Sequence, residues 1–399
     1  MINLVSRRVG LTAFIAFAVS AAPAVRADDG HHDGDDNRYV VTNLVSDIAT
    51  PGGHVIDPNL RNAWGVAFSP GASPFWIADN AAGLATLYDG DGTIVNIAGV
   101  TPVTIPCPAK AGQGSNCPKT ASPTGVVWNP TSAFLVPGTT TASRFIFDAE
   151  DGTVSAWASG NTAVIAVNNA VIPNAANGAV YKGLAVGVNV NGVIVNGSTS
   201  PSFVFLYATN FRAGTIDVFD AGFNQVTPGT PGKIDGNFTD ADIPPGYAPF
   251  GIQNINGDLF VTYAKQDANK HDDVAGPGKG FVDVFDTDGH LLRRFASRGS
   301  LNSPWGVARA SFAFGRFSGD ILVGNFGNGK IHAFDSDGNF QGTLKGTDGK
   351  PVVIEGLWTL TLGGGAKSSS DTLFFTAGPN DESDGLFGTI TPAQDIDDN

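Results

Sequence analysis

The sequence predicts an all-β fold, a six-bladed β-propeller closed by an N-terminal strand that completes the last blade. Three observations carry this prediction. The first is composition. With 52 Gly and 24 Pro in 399 residues, 15% charged residues, and only three Glu (Glu150, Glu355, Glu382) among the 37 acids, turns are plentiful and strong helix formers scarce. The second is a three-strand pattern that recurs six times. The third is a strand count one too high at the N-terminal end and one too low at the C-terminal end. An apolar content of 42%, with 27 Phe, is enough to bury a large core, so the chain as a whole is not a disordered one.

The repeats follow in order. In the first, residues 62–68, 74–80 and 83–89 read as three short strands separated by turn residues. The second runs through 124–127, 144–148 and 152–157, the third through 182–185, 203–210 and 214–219, and the fourth through 250–252, 258–263 and 280–285. The fifth takes 305–307, 320–325 and 329–334, and the sixth 357–358, 371–376 and 385–390. Trp64, Thr124, Lys182, Phe250, Trp305 and Trp358 fall at equivalent places, 53 to 68 residues apart. Each copy offers two apolar strands and an alternating third such as Thr215–Phe219, as expected of a blade packed against its neighbours.

Third strands often end in an Asp/Gly turn, as at 89–92, 286–289 and 335–338. These resemble the opening of a calcium loop but lack its remaining ligands and closing Glu. A hairpin into the blade's outer strand explains them better. The sixth copy has no fourth strand, whereas residues 39–45 form a strand that precedes the first copy. Pairing residues 39–46 with 385–391 completes the last blade and hides its edge.

At the N-terminus, Arg7-Arg8, the apolar run Leu11 to Val19 and Val25-Arg26-Ala27 have the order of a signal peptide cleaved after Ala27. The chain then divides into residues 1–27 as signal peptide, 28–37 as an acidic, His-containing leader, 38–392 as one propeller, and 393–399 as an acidic tail. The apolar run is too short to span a membrane, which takes about 20 residues, so no transmembrane anchor is expected after cleavage and the protein is expected to be secreted or periplasmic. Losing Arg7, Arg8 and Arg26 would take the net charge from −14 to −17, which disfavours a nucleic-acid partner. Cys107 and Cys117 enclose a Pro/Gly-rich stretch, and export favours a disulfide between them; a reactive thiol or metal ligand is the competing reading.

Residues 265–286, 376–388 and 43–47 resemble an exported bacterial propeller family of unassigned function, related to NHL-repeat proteins, some members of which carry a C-terminal sorting anchor. The resemblance covers essentially the whole mature chain. It implies the propeller and export, and brings no catalytic residues with it.

Chemistry in a propeller belongs at the axial channel, on the face where second strands end. Asp79, Asp148, Asn210 and Asn325 end second strands, and Glu355 precedes the sixth inner strand. As a ring they could hold Ca²⁺, which takes six to eight oxygen ligands. Alternatively, each bonds backbone in its own turn and recurs because the blade recurs. The segment Ala264 to Lys279 carries Lys265, Lys270, His271, Asp272 and Asp273 and reads either as a lid over the channel or as a solvated charged loop. Of the His residues, His54 and His271 remain candidates for acid/base work. No nucleophile elbow, phosphate loop or zinc motif occurs. Two functions stay open: a binding propeller for a small molecule, glycan or protein, and a divalent-metal lactonase, esterase or lyase.

Overall fold

The computed structural model describes residues 37–48, 55–71, 73–97, 102–108, 120–174, 176–188, 203–231 and 233–394, together with the backbone of a short hairpin, Ile194–Val195 with Ser198–Thr199. The expected signal peptide, most of the leader, His54, Cys117 and residues 395–399 lie outside this set. Among the described residues no helix is long and apolar enough to cross a membrane.

Six antiparallel sheets form the blades. The first four consist of Ala63–Ala67, Phe75–Asp79, Leu84–Tyr88 and Val103–Thr104; Pro123–Trp128, Phe145–Ala149, Thr153–Trp157 and Val164–Asn168; Tyr181–Val188, Val204–Asn210, Thr215–Phe219 and Gln225–Val226; and Tyr247–Ile255, Asp258–Lys265, Phe281–Phe285 and Leu291–Ser297. Blade five is Pro304–Arg309, Ile321–Asn325, Ile331–Phe334 and Phe340–Thr343. Blade six is Leu357–Leu362, Leu373–Ala377, Leu386–Pro392 and, as its fourth strand, Tyr39–Ser46.

The closure expected from strand counting is therefore present. Tyr39 pairs with Pro392 and Ser46 with Leu386, with a bulge between Asn43 and Val45. Leu44 and Val45 enter the core between blades six and one, while Tyr39 is buried against blade five, its hydroxyl donating to the Phe314 carbonyl at 3.0 Å. A fifth strand, Val55–Ile56, unforeseen in the sequence, adds in parallel to Val45–Ser46. Third strands also depart from the expected alternation: Thr153–Trp157, Phe281–Phe285 and Ile331–Phe334 are buried throughout, because a mid-blade strand has a neighbouring blade against each face. The Asp/Gly segments are hairpin turns. Asp286 Oδ1 accepts from the amides of Asp288 and His290, and Asp335 Oδ1 accepts from those of Asp337 and Asn339.

One device repeats in all six inner strands. Pairing with the second strand shifts at 64–65, 124–125, 182–183, 250–251, 305–306 and 358–359, so two residues face one. Such a bulge re-aims a side chain. Here it involves the six equivalent residues recognised in the sequence. Trp64, Phe250, Trp305 and Trp358 meet with Phe211 in one cluster, Trp64 stacking on Trp358 at 3.5 Å between ring centres. The residue after each plug position is Gly in five blades, and close approach requires it. A Cβ on Gly251 would lie 2.2 Å from the Trp305 carbonyl oxygen, and one on Gly306 2.4 Å from that of Trp358. In blade six the residue is Thr359, whose hydroxyl donates to the Trp64 carbonyl at 2.7 Å and joins the last blade to the first.

Candidate functional site

The third inner strand places Lys182 where other blades place Trp, Phe or Thr. Its side chain is 3% exposed. An ammonium so buried needs counter-charges. Glu150, just beyond the second strand of blade two, pairs with Lys182 Nζ, and Asp272 Oδ1 from blade four lies 3.3 Å away. Three blades thus converge on the axis. Lys182 Nζ also lies 5.2 Å from the Trp64 ring centre, and Trp305 Nε1 donates to the Lys182 carbonyl at 2.8 Å. Burial opposes the lysine's charge, but the two carboxylates outweigh it and raise its pKa, so the group is a fixed cation rather than a neutral nucleophile.

Around this pair, Asn80 Nδ2 donates to Glu150 Oε2 at 3.0 Å and Asn62 Nδ2 to Glu382 Oε2 at 2.7 Å. Trp358 Nε1 donates to Asn62 Oδ1 at 3.0 Å, fixing that amide. Glu382 is aimed by a left-handed turn: Asn380, Asp381 and Glu382 have φ of 58°, 51° and 63°. Non-glycine residues adopt this region at a cost, and such strain concentrates at functional sites. Asn62 and Lys270, at φ 46° and 54°, add to it here. Burial raises the Glu382 pKa.

The charged segment of blade four, read either as a lid or as a solvated loop, reaches Lys182 through Asp272. The second strand of blade four runs on to Lys265, so the loop starts at 266 rather than at Ala264. Gln266 Nε2 donates to the Phe211 carbonyl at 2.5 Å, the His271 amide to Asp267 Oδ1 at 2.8 Å, and the Gly276 amide to Asn302 Oδ1 at 2.6 Å. His271 Nδ1 lies 2.8 Å from Asp272 Oδ1. That contact raises the His271 pKa and lowers that of Asp272 to about 2. Asp273 turns back toward Ser303, and burial raises its pKa. Lys265 is exposed and serves through its carbonyl, which accepts from the Val274 amide at 2.7 Å.

The five residues expected to ring a cation are each engaged elsewhere. Asp79 Oδ2 accepts from the Thr86 amide at 2.8 Å. Asp148 Oδ1 accepts from the Gly125 amide at 2.6 Å and the Thr124 hydroxyl at 2.9 Å. Asn210 bonds Asp217 and Ala213, Asn325 bonds Asn302 and Ser300, and Glu355 accepts from the Asn380 amide. Asp148 does not share a register place with Asp79, Asn210 and Asn325, which each stand one position later in the strand pairing. It faces the bulge of its inner strand, where blade four has Thr262 accepting from the Gly251 amide at 2.8 Å and blade six has Thr376 accepting from that of Thr359 at 3.2 Å. Its job there is to satisfy an amide that the bulge releases.

Among the described residues, one group could offer three ligand atoms to a metal: Glu150, His271 and Asp272, within 4.8 Å of one another. Two carboxylates and an imidazole suit manganese or zinc better than calcium, which takes six to eight oxygens. Lys182 already offsets one of the two carboxylate charges. An added cation would meet its repulsion, roughly 4 kcal/mol per unit charge at about 4 Å and an effective dielectric of about 20.

Fold and site together define a propeller with an ionic cluster on its axis. Within that class, the chain belongs to the family of the uncharacterised proteins R648 and L690 of Acanthamoeba polyphaga mimivirus. It is 33% identical to R648 over 371 residues, covering 90% of this chain and 81% of R648, and 31% identical to L690 over 365 residues, covering 90% and 87%. No protein-family model matches. Among solved structures, the chain is similar to the gluconolactonase XC5397 of Xanthomonas campestris, at 13% identity and a TM-score of 0.47 over 84% of this chain and 87% of that one. It is likewise similar to virginiamycin B lyase of Staphylococcus aureus, at 12% identity and a TM-score of 0.48 over 89% and 99%. R648 and L690 are viral proteins, and they do not show the bacterial source or the sorting anchor that the resemblance read from the sequence implies.

Proposed function

We propose that this protein is an exported ligand-binding propeller whose axial mouth takes a small hydroxyl-rich ligand, saccharide-like in chemistry. The observation that carries this reading is the convergence of Glu150, Lys182 and Asp272 from three blades, rimmed by Asn62, Asn80, His271 and Glu382. Such a rim offers closely spaced donors and acceptors, which match hydroxyls without requiring a net charge on the ligand. Lys182 and Asp272 hold the lid down through groups that a ligand could engage instead, so opening the lid exchanges internal bonds for ligand bonds. Titration calorimetry with a panel of mono- and oligosaccharides tests the reading on wild type, Asp272→Asn and His271→Ala. Binding by wild type that weakens at least tenfold in both variants supports it. Absence of any binding, or binding indifferent to both changes, would overturn it.

The alternative, a metal-dependent lactonase or esterase, is favoured by the Glu150, His271 and Asp272 group. Metal analysis of native protein, calorimetry with Mn²⁺, Zn²⁺ and Ca²⁺, and a lactone and ester panel address it. Stoichiometric metal lost in Glu150→Gln, together with metal-dependent turnover, would replace the binding reading.

A further inference from the structure

Beyond the Trp plug, the inner strands run on to the opposite face, and there the axis opens again. Past the glycine positions lies a gap of about 30 Å³ lined by Gly65, Gly125, Gly306 and neighbours. It leads to a cavity of about 350 Å³. The cavity is built from the C-terminal halves of five inner strands: Val66, Val126, Trp128, Leu184 and Val186 bring apolar side chains to it, and polar groups share its wall about equally. Its size falls within the range of small-molecule sites, roughly 300 to 1,000 Å³.

The lining has one distinctive property. The chain has 60 charged residues, 23 basic and 37 acidic, yet among the described residues none lines this cavity. The polar side chains there are Gln253, Asn254 and Thr361. Asn254 is committed to structure, its Nδ2 donating to the Val186 carbonyl at 3.0 Å and its Oδ1 accepting from the Gly257 amide at 2.9 Å. Thr361 donates to the Leu362 carbonyl at 3.4 Å. Gln253, exposed at the rim, keeps its amide for a ligand. A charged ligand would leave water with no counter-charge to receive it, whereas an uncharged body with both apolar and hydrogen-bonding surface would match wall and amide together.

We propose that this cavity is a second binding site, separate from the ionic mouth, for an uncharged molecule about the size of a substituted naphthalene that combines an apolar body with hydrogen-bonding groups, oriented by a hydrogen bond to Gln253. The mouth and the cavity lie at opposite ends of the plug, so the two sites are chemically independent.

The test uses the neutral fluorophore 6-propionyl-2-dimethylaminonaphthalene, whose emission shifts to the blue in apolar surroundings, with the full chain. Wild type is expected to bind it with a saturable blue shift. Val186→Phe, which fills the cavity from a half-buried position, and Gln253→Glu, which puts a charge at an exposed rim position, are each expected to weaken binding tenfold or more. Both variants should melt within a few degrees of wild type. Asp272→Asn, at the other end of the axis, should bind like wild type, so a failure here is distinct from a failure of the saccharide reading. Lack of a saturable shift, or binding unchanged in both Val186→Phe and Gln253→Glu, would overturn the site. Equal affinity for 6-methoxy-2-naphthoate, a carboxylate of similar size, would overturn the assigned ligand class.

Discussion

Removing the closing strand should cost the propeller much of its stability. Tyr39, Leu44 and Val45 are 1%, 8% and 0% exposed. At about 1.5 to 3 kcal/mol for each fully buried side chain, their loss amounts to roughly 5 to 9 kcal/mol, an upper figure because unfolded chains already bury some of this surface. Net stabilities of proteins run at about 5 to 15 kcal/mol, so the loss is comparable to the whole. Deletion would also strip the hydrogen bonds between Tyr39–Ser46 and Leu386–Pro392 and leave the latter as a bare edge. The comparison is among the full chain, a chain beginning at Asn37 and a chain beginning at Asp47. Asn37 is retained in the second because its amide donates to the Thr343 carbonyl at 3.0 Å and accepts from the Lys345 amide at 3.1 Å. By thermal melting, the first two should agree within a degree or two. The third should melt at least about 10 °C lower, given roughly 2 °C or more per kcal/mol for large domains. Should that truncation fail to express, Val45→Asp in the full chain places a charge at a fully buried position and must act in the same direction. Equal melting temperatures for all three chains would show that the ring is closed by something other than this strand.

The remaining predictions concern the axis and the cysteines. Gly251→Ala, whose Cβ would lie 2.2 Å from the Trp305 carbonyl oxygen, should lower the melting temperature far more than Gly183→Ala, whose nearest neighbour is at 3.2 Å; equal shifts would refute the tight-ring argument. Asp148→Thr, which copies blades four and six, should keep the melting temperature within a few degrees, whereas Asp148→Ala strands the Gly125 amide and should cost about 1 to 3 kcal/mol in chemical denaturation. Burial lifts Asp148 to about 7 and Asp283 to about 6, so the folded state keeps protons that the unfolded chain releases near 3.8. Their stabilisation is complete below about pH 4 and lost as pH rises through 6 and 7, and wild type should therefore lose stability between pH 5.5 and pH 8. Burial holds His332 at about 4, and its contribution runs the other way below pH 6.5, but comparison with Asp148→Thr cancels it; a pH slope unchanged in that variant would refute the Asp148 assignment. Cys107 packs against the core between blades one and two, and thiol titration of denatured, unreduced protein should find no free thiol; two per chain would refute the expected disulfide to Cys117.

Most of the fold was legible because its cause is periodic. A blade is a local pattern repeated, and a surplus strand at one end with a deficit at the other admits few solutions. Val55–Ile56 escaped because two residues carry no period. Burial of the third strands on both faces escaped for a different reason: alternation describes one sheet, whereas burial there depends on the neighbouring blade. The inner-strand bulges were present in the sequence as the pairs Trp64-Gly65, Thr124-Gly125, Lys182-Gly183, Phe250-Gly251 and Trp305-Gly306, which served to align the repeats. Their meaning, a Gly forced by the approach of the next blade's backbone, needs the ring.

The ionic mouth was legible only in part, and the reason lies in what Asp and Glu do in this chain. Asp is abundant because short carboxylates cap turns and bulges, as Asp286, Asp335 and Asp148 do, so picking Asp and Asn at strand ends selects structural residues as readily as ligands. Glu is the rare acid, and a longer side chain caps turns poorly but reaches across a mouth. Glu150 pairs with Lys182, Glu382 holds Asn62, and Glu355 accepts from the strained turn that aims Glu382. All three therefore serve one end of the axis. Lys182 carried a matching signal. A lysine at a position occupied elsewhere by Trp, Phe or Thr is a charge in a core, and a charge in a core requires a partner of opposite sign. Asking which acids could reach it would have led to Glu150 and, through the charged loop of blade four, to Asp272. In a repeat protein, the residue that breaks the repeat at a buried position, and the residue type the repeat does not use, mark the site better than those the repeat shares.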